Sequence, residues 1–85
     1  MRIDKFLKVS RLVKRRVVSQ ELLDSKRVFI NDKVVKKSAQ VKVGDEILLK
    51  YGNVDNRRYV KVRVVKIENV VNKDDATTLY EVIGG

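Results

Sequence analysis

The sequence contains no cysteine, no histidine and no proline, and the first two absences exclude whole classes of site. Without cysteine there is no disulfide framework, no thiolate nucleophile and no cysteine-ligated zinc. Without histidine the chain lacks the usual general base near neutral pH and the commonest metal ligand. The longest uninterrupted apolar run is three residues, too short for a membrane span or a signal-peptide core. We therefore expect a cytoplasmic protein with no membrane partner.

Charge is the most informative property that the sequence does have. The 85 residues carry 20 Lys and Arg against 11 Asp and Glu, a net charge of +9. A chain of this length forms one small domain, and 44% hydrophobic residues suffice for a core. Residues 1–37 hold 12 basic and four acidic side chains, whereas residues 38–85 hold eight and seven. This asymmetry indicates that the first part of the chain binds a polyanion.

Apolar periodicity predicts two helices at the start of the chain. The first spans residues 3–12, and its apolar side includes Phe6, which we assign to the core rather than to base stacking. The second runs from residue 14 to about residue 25, with Val18 and Leu22 as its inner stripe. A short link between them is typical of an angled helix pair.

The rest of the chain reads as strands separated by polar turns. Alternating or β-branched segments predict strands at residues 28–30, 34–35, 46–51, 59–67 and 79–83, with residues 31–33 as a tight turn and residues 52–56 and 69–78 as polar, irregular segments. Helices first and strands afterwards indicate an α+β domain, with two N-terminal helices packed on a small, mostly antiparallel β-sheet.

A basic surface is predicted on the helices. Its side chains are Arg2, Lys5, Lys8, Arg11, Lys14, Arg15 and Arg16. Guanidinium groups bind phosphate oxygens bidentately, and the free N–H groups of a helix N-terminus attract anions. A solvated charged face is the alternative, but residues 5–20 contain no acid, whereas a merely soluble surface mixes both signs. The pattern therefore favours contact with nucleic acid.

Two weaker signals stay open at this point. The turn at residues 31–33, followed by Lys36 and Lys37, is a second basic element that either contacts phosphate or reflects the conformational preferences of turns. Tyr51 and Tyr59 flank the polar loop and either stack on a base or end a strand.

Catalytic signals are weak. The carboxylate pairs at residues 45–46 and 74–75 are sequence neighbours, whereas acid–base pairs must converge across a cleft. The serines have no histidine to activate them, and the chain has no glycine-rich phosphate loop. We expect no enzymatic activity, no cofactor and no metal.

Four blocks in the first half of the chain carry a family resemblance. They are residues 2–7, 14–16, 27–35 and 43–46. Their order and spacing resemble the RNA-binding domain first seen in the fourth small-subunit ribosomal protein, also called the αL motif. The family usually has glycine at the positions of Lys26 and Asp32. The resemblance implies an RNA-binding domain over residues 1–52, with residues 53–85 as a β extension packed on it in a single compact unit.

The resemblance also implies which side chains contact RNA. Carried over by position, they are Arg2, Lys5, Arg11, Lys14, Arg15, Arg16, Arg27, Asn31 and Lys33. Lys8, from the basic surface of the first helix, completes the predicted set. Asp4 is expected to orient neighbouring basic side chains. These residue types suit structured RNA, which is read by shape and phosphates.

Residues 5–16 and 75–80 are similar to the stand-alone bacterial members of this family, the RqcP (YabO) proteins and the fifteen-kilodalton heat-shock protein. This implies binding of rRNA and tRNA on large ribosomal subunits obstructed by peptidyl-tRNA, in support of alanine tailing by an RqcH-type partner. We expect a monomer off the ribosome. The alternatives are a heat-shock ribosome-recycling factor, an RNA-targeting module of a modifying enzyme acting in trans, and a DNA-binding helix–turn–helix regulator.

Overall fold

Two short helices open the chain, as their apolar spacing predicts. The computed structural model describes residues 1–50, 59–69 and 72–84, and in it α1 is Ile3–Val9 and α2 is Arg16–Asp24. Phe6 is fully buried in the core, which confirms its assignment. No helix in these ranges has the length and apolar content that a membrane span needs.

The prediction that the first helix continues to residue 12 is wrong. The helix ends at Val9 because Ser10 is its C-cap and Arg11 adopts the left-handed conformation, with φ of 58°. The Arg11 N–H still donates to the carbonyl oxygen of Lys8, at 3.2 Å. Residues 10–15 thus form the link between the helices. Val13 packs this link against the core, with 6% of its surface exposed.

The second helix starts later and turns a different side to the core than predicted. It begins at Arg16 rather than at residue 14. Its buried residues are Ser19, Leu22 and Leu23, so Leu22 of the predicted stripe is confirmed, whereas Val18 is 36% exposed and its place in the stripe is wrong. Leu22 and Leu23 lie three and four residues after Ser19, so all three face the core. Burying two leucine side chains contributes more free energy than burying the one side chain of Val18.

The strands form one antiparallel sheet in the order β2-β1-β3-β4-β5. Their bounds are β1 Val28–Ile30, β2 Lys33–Val34, β3 Glu46–Lys50, β4 Tyr59–Val64 and β5 Tyr80–Gly84. The α+β class and the mostly antiparallel sheet are therefore confirmed. The inward side chains of the strands and the apolar faces of the helices form one core. The predicted loop at residues 52–56 and Tyr51 lie outside the described residues.

The turn between β1 and β2 has the type I′ geometry. Its two central residues, Asn31 and Asp32, have φ of 51° and 68°, and Ile30 pairs with Lys33 across the turn. The Asn31 side chain holds the turn against β3, because its Oδ1 accepts the N–H of Glu46 at 3.1 Å. This geometry explains why glycine is usual in the family at the position of Asp32.

The segment predicted as irregular, residues 69–78, is partly helical. It contains α3, Lys73–Ala76, and a 3₁₀ turn, Thr77–Leu79. Asn72 caps α3, since its Oδ1 accepts the N–H of Asp75 at 2.9 Å. The Leu79 side chain is fully buried, and its carbonyl oxygen accepts the N–H of Val65 at 2.8 Å. That bond diverts the chain after Val64, so the strand predicted to reach residue 67 is shorter.

Candidate nucleic-acid interface

One side of α1 is a row of basic side chains. Arg2, Lys5 and Lys8 are all exposed, on the side opposite the buried residues of the same helix. Asp4 lies beside them, and the Nε of Arg2 is 3.3 Å from its Oδ1. The helix therefore presents three cations in a line, and the carboxylate of Asp4 fixes the direction of one of them.

The link and the start of α2 continue this row. Arg11, Lys14, Arg15 and Arg16 are exposed, and none of the four forms an ion pair with any acid in the described part of the chain. The N-terminus of α2 has no side-chain cap and no acid in its first turn. Its first backbone N–H groups therefore lack a side-chain cap, and Arg15 and Arg16 adjoin them in the chain, an arrangement that suits a phosphate. We call Arg2, Lys5, Lys8 and these four residues the basic face.

Three basic side chains in the second half of the chain, Lys61, Arg63 and Lys66, are arranged differently. The Nζ of Lys61 lies 3.3 Å from the Oε1 of Glu46, and Arg63 binds Glu81 with 2.7 Å between Nη1 and Oε1. Lys66 lies beside Glu68, at 3.6 Å. These three cations are neutralised locally, whereas those of the link are not, so the link contributes more to the positive potential than these side chains do.

The other predicted contacts lie at the far end of α2. Arg27 follows the helix and is half-buried, and Asn31 and Lys33 are exposed on the β1–β2 hairpin. The nine residues of α2 separate Arg16 from Asp24 by about 12 Å along the helix axis, and Arg27 follows in the turn after that end. One amide proton of Asn31 is already used, because its Nδ2 donates to Asp45 at 3.1 Å. Arg27 and the hairpin residues thus lie away from the N-terminus of α2, where Arg15 and Arg16 are.

Two residues beside the basic face were missed by sequence reasoning. The Nζ of Lys5 donates to the Oδ1 of Asn69 at 3.5 Å, and the N-terminal amino group of Met1 donates to the Oε1 of Gln40 at 3.1 Å. These partners are 64 and 39 residues apart in the chain. Nothing local in the sequence marks either contact, because both depend on how the later segments return to α1.

The carboxylate of Asp45 supports the fold, and the tyrosines differ in how exposed they are. Asp45, considered above as part of a carboxylate pair, accepts the N–H of Lys42 with its Oδ2 at 2.8 Å and thereby supports the turn before β3. Tyr59 is 45% exposed at the start of β4, and Tyr80 packs partly against the core. Base stacking by Tyr59 stays a prediction.

Known proteins resemble this chain in sequence over its helices, turn and sheet. The sequence matches the S4 domain family over residues 1–47. It is also 43% identical to the RQC P-site tRNA stabilizing factor of Halalkalibacterium halodurans, over 96% of this chain and 89% of that protein. The chain belongs to the S4 domain family. The Bacillus subtilis protein with the same name is 40% identical to this S4 domain protein, over 98% of this chain and 92% of the relative.

The fold of the S4 domain protein also has a solved counterpart. The trimeric structure of heat shock protein 15 from Vibrio cholerae superposes with a TM-score of 0.82 at 25% sequence identity. The match covers 98% of this chain and 81% of the other. The likeness therefore includes β4, α3 and β5, which lie beyond the residues that the S4 family description matches.

Proposed function

We propose that this S4 domain protein is a non-enzymatic RNA-binding factor of bacterial ribosome-associated quality control. It binds rRNA and tRNA together on large ribosomal subunits that a peptidyl-tRNA obstructs, and it supports C-terminal alanine tailing by an RqcH-type partner. It acts in the cytoplasm and is a monomer off the ribosome. The names of its relatives, which refer to quality control and to P-site tRNA, support this role.

One observation carries the proposal: the cations of the link are exposed and have no acidic partner in the described part of the chain. Side chains such as Arg15 and Arg16 repel one another in the free protein, and bound phosphates remove that repulsion. The open N-terminus of α2 adds backbone donors at the same place. The link and the start of α2 therefore bind a polyanion without first breaking an internal salt bridge.

The mechanism that follows is a clamp. The row on α1 and the start of α2 contact phosphates of one RNA, and the predicted contacts Arg27, Asn31 and Lys33 at the other end of α2 contact the second. The two ends of α2 are about 12 Å apart along its axis, a spacing that lets one small domain touch two neighbouring RNA elements. Holding tRNA against rRNA in this way keeps the tRNA in register while the partner adds alanine.

The proposal is tested by co-sedimentation with large ribosomal subunits. Arg16→Ala and Arg2→Ala should each weaken binding by about tenfold, because each removes a charge-assisted phosphate contact of about 1.5 kcal/mol. Lys66→Ala is the matched control: it removes the same charge, but from a side chain that is paired with Glu68. Folded Arg2→Ala and Arg16→Ala variants that bind as tightly as the wild type would contradict the proposed site.

A further inference from the structure

A groove with an apolar floor and a basic rim lies at the C-terminal end of α2. Its volume is about 500 Å³, within the range of about 300–1,000 Å³ usual for sites that hold small ligands. Leu23, Val34 and Val35 contribute its apolar surface. Val34 is 49% exposed although it is a strand residue, so the groove leaves apolar surface uncovered in the free protein.

Three lysines line the same groove. Lys26, Lys36 and Lys37 are exposed, and none of them forms an ion pair with an acid in the described residues. Lys26 is held at the groove by the end of α2, where its N–H donates to the carbonyl oxygen of Leu23 at 3.2 Å. The groove therefore combines a concentrated positive charge with an apolar surface large enough for a planar ring.

The groove is continuous with the basic face. The chain runs from Lys37 to Gln40 in three steps, at most about 11 Å. Gln40 is paired with Arg2 in an isolated antiparallel bridge, and the carbonyl oxygen of Ala39 accepts the N–H of Ile3 at 2.8 Å. An RNA strand that leaves the basic face at Arg2 therefore reaches the groove within one or two nucleotides.

The chemistry of the groove favours a whole nucleotide over a bare phosphate or a purely apolar ligand. Lysine ammonium groups bind phosphate oxygens, and an apolar floor receives the face of an unstacked base. Asp24 also lines the groove. Its carboxylate repels phosphate but accepts hydrogen bonds from the amino groups of base edges.

We propose that this groove binds an unpaired nucleotide of the RNA that the basic face holds, with its base on Val34 and Val35 and its phosphates on Lys36 and Lys37. This role rests on the RNA binding proposed above. It gives the protein a preference for RNA in which a helix meets an unpaired segment, and it assigns a function to the second basic element of the sequence.

The test compares RNA hairpins that differ only in a short 3′ tail. One hairpin has no tail, one has an unpaired tail with bases, and one has a tail of the same length made of abasic nucleotides. The wild type should bind the tail with bases about three to ten times more tightly than the abasic tail. The reason is that the base covers methyl groups of Val34 and Val35, and each methyl group buried in this way raises the binding constant by a factor of about four. The abasic tail keeps the phosphates, so this ratio reports the base alone.

Variants with matched controls assign the effect to the groove. Val34→Ala should abolish most of the preference, whereas Val82→Ala, an equally small change at 63% exposure on the opposite edge strand, should preserve it. Lys36→Ala combined with Lys37→Ala should weaken binding of both tailed hairpins and spare the hairpin without a tail. The pair Lys42→Ala and Lys66→Ala removes the same charge outside the groove.

The outcomes separate this role from the proposed function. Equal affinity of the wild type for the two tails, or an unchanged preference in Val34→Ala, would overturn the nucleotide site and leave an acidic peptide as the occupant that the lysines fit. Absence of binding to every hairpin would overturn the RNA-binding function itself, and the nucleotide site with it.

Discussion

At the scale of single residues, backbone conformation explains where the sequence departs from its family. Lys26 follows the last turn of α2 with φ of 61°, and the next N–H, that of Arg27, donates to the carbonyl oxygen of Leu22 at 2.9 Å. These are the bonds of a Schellman motif, in which glycine has no steric cost. The left-handed backbone of Lys26 costs about 1 kcal/mol of conformational strain, and the lysine side chain places a cation at the groove.

Lys26→Gly should therefore stabilise the protein and weaken its RNA binding. We expect the free energy of unfolding to rise by about 0.5–1 kcal/mol and the melting temperature by about 2–8 °C. Gln20→Gly is the control, because it puts glycine inside α2 and should lower stability by about 1 kcal/mol. Calorimetry of the two variants checks the sign. A loss of stability in Lys26→Gly would contradict the strain.

At the scale of secondary-structure elements, the sequence predicts the type and order of the helices and strands better than their ends. Periodicity identified both N-terminal helices and the five-strand region, since core burial repeats at fixed intervals within each element. The ends depend on single residues and distant partners. The left-handed Arg11 ends α1, and the carbonyl oxygen of Leu79 diverts the chain after β4. Neither is a local pattern.

The candidate site follows the same division. The exposure of the basic face could be predicted from the sequence, because cations opposite an apolar stripe are a periodic signal, and these cations are exposed on α1, the link and the start of α2. The groove could not be predicted from the sequence. Its floor joins Leu23 of α2 to Val34 of β2, and only the tertiary fold puts these two residues side by side.

Residues 53–85 were predicted to pack on the first part of the chain as one unit, and Leu79 offers a test. Its side chain is fully buried in the core that the helices share, so Leu79→Ala should cost about 2–5 kcal/mol. Val82→Ala, at an exposed position, should change stability by less than about 0.5 kcal/mol. Unfolding in urea should stay a single transition by circular dichroism and by fluorescence of the tyrosines. Separate transitions for the two probes would contradict the single unit.

At the scale of the whole molecule, the net charge of +9 is unevenly distributed and shapes how the protein associates. Lys61, Arg63 and Lys66 are paired with acids, whereas the cations of the link are not. The basic face and the groove are therefore strongly positive, but the surface as a whole is not uniformly so. Repulsion between such sides opposes self-association, in keeping with the proposed monomer.

Binding of the protein to structured RNA should weaken steeply with salt. The logarithm of the binding constant should fall linearly with the logarithm of the salt concentration, with a slope of about −0.7 to −0.9 per phosphate contact. Arg16→Ala should reduce this slope by about one contact, and Lys66→Ala should leave it unchanged. Titration at several salt concentrations by fluorescence anisotropy measures both. A flat profile for the wild type would indicate a protein partner in place of RNA.

The central claim is that the basic face binds ribosomal RNA and tRNA, and crosslinking in living cells tests it most directly. RNA crosslinked to the wild type should be enriched in large-subunit rRNA together with tRNA, and the double substitution Arg15→Ala with Arg16→Ala should lose most of both. The control pair Lys42→Ala with Lys66→Ala should retain them. Recovery of duplex DNA, or undiminished crosslinking of the Arg15 and Arg16 variant, would contradict the account.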